Sequence, residues 1–100
     1  MYAERHELQA DLRNARVAGD TLSGKYRALD AERRRVDERL REGEMQVVLG
    51  ADGATEARDE ALARRNAIDE EQQTVQRGMD AARELIQIRQ AQLSALHDDD

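Results

Sequence analysis

The chain has no cysteine, no proline, no phenylalanine and no tryptophan, and only two tyrosines among its 100 residues. Each absence removes a class of protein. Without cysteine there is no disulfide framework, no thiolate metal site and no cysteine nucleophile. Without proline the backbone carries no forced break, which favours long helices over loop-rich folds. The hydrophobic fraction is 39%, but sixteen of those residues are alanine, so there is too little bulky apolar volume for a thick globular core. No apolar run approaches the roughly 18 residues that a membrane span needs. The opening segment MYAERHELQADLR also lacks a signal-peptide core, so the sequence reads as a cytoplasmic protein without membrane insertion.

What the chain has in abundance is charge: 38% of residues are Asp, Glu, Lys or Arg, with both signs interspersed and a net charge of −6. That composition belongs either to disorder or to long exposed helices, and periodicity decides between them. Steps of four and three residues from Leu8 trace Leu12, Ala15, Gly19, Leu22, Tyr26, Leu29, Arg33, Val36, Leu40, Gly43 and Val47. The same steps from Ala61 trace Arg65, Ile68, Gln72, Val75, Met79, Ala82, Ile86, Arg89, Leu93 and Leu96. These are two a/d heptad seams, the second with three polar interruptions, and a seam needs only about two apolar residues per heptad.

Between the seams lies Leu49-Gly50-Ala51-Asp52-Gly53-Ala54-Thr55. One helix is expected to end near Gly50, and another to begin with Asp52 or Thr55 as its cap. Two arms of near-equal length on a short loop fold back antiparallel. The expected architecture is therefore all-α: a single coiled-coil hairpin with helix 3–49, turn 50–54, helix 55–97 and an acidic tail at 98–100. The stretch GDTLSGKY is its weakest helical segment, but the heptad phase runs through it from Ala15 to Leu29 without slipping, which predicts a continuous first helix. Gly78 is expected to make room for the Tyr26 ring. The inter-arm register that sets fewest charges against apolar partners places Leu40 near Ile68, Leu29 near Met79, Leu22 near Ile86 and Leu12 near Leu96. A register one heptad away puts Leu8 by Leu93 and Leu40 by Ala61, and sets Leu12 against Arg89.

Six apolar residues fall outside the a/d positions. Leu62, Leu85 and Ile88 flank the second seam, and Met45, Val48 and Leu49 flank the first near the turn. They predict interaction surfaces: self-association, with a dimer of hairpins forming a four-helix bundle, or docking of another protein. At the turn, Asp52, Glu56, Asp59 and Glu60 form an acidic tip. In architecture this resembles the transcription factors that insert an acidic-tipped coiled-coil hairpin into RNA polymerase to help hold a catalytic magnesium. In length and hairpin form the chain also resembles the roughly 100-residue secreted proteins with a Trp-x-Gly turn, although its own turn reads Val48-Leu49-Gly50-Ala51.

Other sites are weaker. Arg33, Arg34, Arg35, Arg39 and Arg41, joined by Arg58, Arg64 and Arg65, make a basic cluster. Interleaved acids, the negative net charge and the lack of any aromatic there argue against nucleic-acid binding. His6 and His97 read as solvated terminal residues rather than metal ligands. No nucleophile–base arrangement or phosphate loop is present, so the expectation is a non-catalytic structural or adaptor protein that mediates protein–protein assembly without a cofactor.

Overall fold

The computed structural model describes residues 2–98, without the side chains of Tyr2, His97 and Asp98. Two helices account for it, α1 over Tyr2–Val48 and α2 over Ala54–Asp98. The chain is an all-α helical hairpin. The expected helix through GDTLSGKY is unbroken. The predicted acidic tail divides: Asp98 ends α2, while Asp99 and Asp100 lie outside the described residues.

Local chemistry stops α1 where the glycine requires it. Gly50 has φ +73, a left-handed conformation that costs glycine nothing. Its amide donates to the Val47 carbonyl at 3.1 Å, and the Ala51 amide donates to the Gln46 carbonyl at 3.0 Å. That pair of bonds is a Schellman motif, which satisfies carbonyls the helix end would otherwise leave open. At the start of α2 the capping expectation is corrected. Gly53, not Asp52 or Thr55, occupies the cap position, and its carbonyl accepts the first helical bond, from the Ala57 amide at 3.1 Å. Gly53 also has positive φ, at +74, so the tight turn selects the residue that bends rather than the one with a capping oxygen.

Packing divides the hairpin into two units: a turn unit, Tyr26–Thr74, and a terminal unit that joins Met1–Lys25 to Val75–Asp100. In the turn unit the seam is well covered. Ile68 and Val36 are fully buried, and Leu29, Leu40 and Ala54 are buried with them. Removing each large side chain from water stabilises the pair of helices by roughly 1.5–3 kcal/mol. Gln72 is buried in the same seam with no partner for its Nε2 among the described residues. In the terminal unit only Leu12, Ala15, Val75 and Ala82 are buried among the described residues, while Leu8, Leu22, Met79, Ile86 and Leu93 are half-buried.

The register differs from the one expected. In the terminal unit a Cβ on Gly19 would lie 3.7 Å from the Ala82 Cβ, and one on Gly78 would lie 2.9 Å from Leu22 Cδ1. In the turn unit a Cβ on Gly43 would lie 3.3 Å from the Cα of Arg58. All three contacts belong to the pairing that sets Leu12 against Arg89. Gly78 therefore makes room for Leu22, not for Tyr26. The physical reason is that seam arginines do not have to face apolar partners. Their stems lie along the seam while the guanidinium reaches a flanking carboxylate on the other helix: Arg33 to Asp69 at 3.4 Å, Arg65 to Asp37 at 3.1 Å and Arg89 to Asp11 at 3.5 Å. The short turn agrees with this register, since residues 49–53 leave little chain with which to slide α2 by a heptad.

Gly24 is a point of avoidable weakness. It sits inside α1, and a Cβ there would meet nothing within 4 Å. Gly24→Ala should therefore raise stability by about 1 kcal/mol through helix propensity alone, read as a higher denaturant midpoint with an unchanged slope. At Gly78 the same change should gain less, because Leu22 must first move aside.

Candidate interaction surfaces

The end of α1 presents apolar side chains outward. Val47 and Gly43 belong to the seam, so Met45, Val48 and Leu49 lie on the opposite side of the helix, where they are 64%, 85% and 71% exposed. Spacings of three and four residues place them side by side on one turn. The Schellman motif holds that turn in a defined geometry without covering them. The other three sequence-predicted interaction residues are also exposed: Leu62 in the turn unit, and Leu85 and Ile88 in the terminal unit. Val17, 64% exposed on α1, was not among them. It occupies an outer heptad position, four heptads before Met45, and searching the whole outer line of α1 rather than the seam flanks finds it.

The four tip acids Asp52, Glu56, Asp59 and Glu60 are all exposed, but they do not converge. Asp59 accepts from Nη2 of Arg58 at 3.4 Å. Asp52 and Glu60 stand at the edge of a groove of about 640 Å³ beside the turn, together with Arg39, Glu42 and Arg64. The groove exists because its floor is made of Gly43, Ala54, Ala57 and Ala61, which have no bulk to fill it. Among the described residues no three His, Asp or Glu side chains are grouped closely enough to hold a metal ion. His97 lies outside the residues whose side chains are described.

Five arginines of the basic cluster, Arg33, Arg34, Arg58, Arg64 and Arg65, are tied into ion pairs. Arg64 donates to both carboxylate oxygens of Glu32, at 2.7 and 2.9 Å, and also lies 3.7 Å from Glu71. The hydrogen bond from Arg64 holds the Glu32 carboxyl below its ordinary value, and the same bond raises the guanidinium of Arg64. Arg33, Arg34, Arg58 and Arg65 each lie within 3.4 Å of a carboxylate. Exposed pairs of this kind contribute little stability individually, but they spend on intramolecular contacts the charge that a phosphate backbone would use.

No protein-family model, no curated protein and no solved structure matches this chain. Its own surface is therefore the basis for any functional reading. Three features of that surface are defined by the side chains themselves: the apolar trio Met45, Val48 and Leu49, the small-residue groove floored by Gly43, Ala54, Ala57 and Ala61, and the pair Leu85 and Ile88 in the terminal unit. No helix among the described residues is long and apolar enough to cross a membrane.

Proposed function

We propose that this chain is a non-catalytic structural or adaptor protein that assembles other proteins through the surface of its hairpin. The observation that carries the reading is the exposed trio Met45, Val48 and Leu49, held on a capped helix end that has no internal use for it. Large apolar side chains grouped on a rigid element are the anchor pattern of helix-mediated recognition. Such groups on a soluble surface otherwise only promote aggregation. The acidic residues nearby supply a polar rim that keeps the free surface in solution.

The test is affinity capture from the cells of origin with the full chain as bait. Met45→Ser/Val48→Ser/Leu49→Ser should lose the captured proteins at least tenfold, while its melting temperature stays within a few degrees of the parent because all three side chains already face water. Asp52→Asn/Glu56→Gln/Asp59→Asn/Glu60→Gln should retain them. An unchanged set of captured proteins with the apolar triple variant would overturn the proposal.

A further inference from the structure

We infer that the terminal unit contains a built-in opening point: α1 unwinds locally at residues 19–24 while the helix on either side stays formed. The segment reads Gly19-Asp20-Thr21-Leu22-Ser23-Gly24, in which only Leu22 is a strong helix former. Packing does not account for its glycines. A Cβ on Gly24 would meet nothing within 4 Å, and one on Gly19 would rest in ordinary contact with the Ala82 Cβ at 3.7 Å. Alanine fits both places, so the helix carries a weakness there that no neighbour requires. α2 is weakened at the same level by Gly78, which lies against Leu22.

The seam is also thinnest here. Along α1, Leu12, Ala15, Leu29, Val36 and Leu40 are buried, whereas Gly19, Leu22 and Tyr26, the seam positions between Ala15 and Leu29, are only half-buried. A groove of about 380 Å³ opens onto Gly19, Ser23, Met79 and Ala82, so water already reaches the edge of the contact. An opening at this level gives up little apolar burial, and the burial given up sets how readily a local segment opens. The open form also has its ends ready. α1 stops at the turn because Gly50 takes a left-handed φ of +73. Gly19 can make the same bend after Ala18, and Asp20 or Thr21 supplies the oxygen that caps the helix restarting behind it. Unwinding bares Leu22, whose side chain fills the space at Gly78 in the closed form, so this apolar contact becomes accessible only while the segment is open.

The experiment is native-state amide hydrogen exchange on the full chain, read residue by residue by NMR. Amides at residues 21–26 should be protected about tenfold less than those of Leu12 and Ala15 on one side and those of Val36 and Leu40 on the other. That pattern is an internal minimum, which fraying from the chain end does not produce. Gly19→Ala/Gly24→Ala should raise protection at residues 21–26 by about tenfold relative to Val36 and Leu40 and so erase the minimum, with the helical circular dichroism retained. Uniform protection from Leu12 to Leu40, or protection that only climbs from the first residues of α1 toward the turn, would overturn the inference. So would a minimum that persists unchanged in the double alanine variant. None of these outcomes bears on capture by the Met45 trio.

Discussion

Ile68→Asp should leave the chain largely unfolded at room temperature. Ile68 has no solvent exposure, and it lies in a seam only two helices thick. A carboxylate there has neither water nor a partner, and an unpaired buried charge costs several kcal/mol. Truncation to alanine alone would cost about 2–5 kcal/mol through lost burial and the cavity left behind. Domains of this size hold only about 5–15 kcal/mol in total, so aspartate removes most or all of it. Far-UV circular dichroism reads the result as lost helical signal. Leu62→Asp is the matched control: it introduces the same residue on the same helix at a site 43% exposed, and should shift the melting temperature by a few degrees at most. If Ile68→Asp melted like the control, the seam described above would be wrong.

The second large effect is expected at Gly43. This glycine is buried where α1 meets the first turns of α2, and a Cβ on it would stand 3.3 Å from both Cα and Cβ of Arg58. The obstacle is backbone, which cannot rotate away as the end of a side chain does. Gly43→Leu should gain up to about 1 kcal/mol in helix propensity. It should lose more by forcing the helices apart, since overpacking a tight contact costs typically 1–3 kcal/mol, occasionally more. We therefore expect a net loss of about 2 kcal/mol in denaturant unfolding, opposite in sign to Gly24→Ala. A Gly43→Leu variant as stable as the parent would show that the helices do not meet closely there.

Particular residues show why part of this was legible in advance. The heptad phase carried from Ala15 to Leu29 predicts a continuous α1 even across Gly19 and Gly24, because seam periodicity outweighs two unfavourable propensities. Exposure of Met45, Val48, Leu49, Leu62, Leu85 and Ile88 is legible because each lies off the a/d line. Register is not legible from the same pattern. It depends on how far an arginine reaches: Arg33, Arg65 and Arg89 look like misfits in one dimension, and in three each finds a carboxylate on the other helix. The cap of α2 was misplaced for a related reason. Asp52 and Thr55 have the better capping side chains, but the turn that follows the Schellman motif needs positive φ at Gly53.

By itself the sequence determined the helical content, the single turn and the set of side chains left facing outward, because these follow from periodicities of three to four residues and from glycines in the turn. Tertiary structure alone decided which residues face one another: Gly43 against Arg58, Leu22 into the space at Gly78, and Glu32 bidentate with Arg64. Contacts of this kind depend on distances between segments far apart in the chain. Heptads allow several pairings that differ by one repeat, and only side-chain reach and the length of the turn distinguish them.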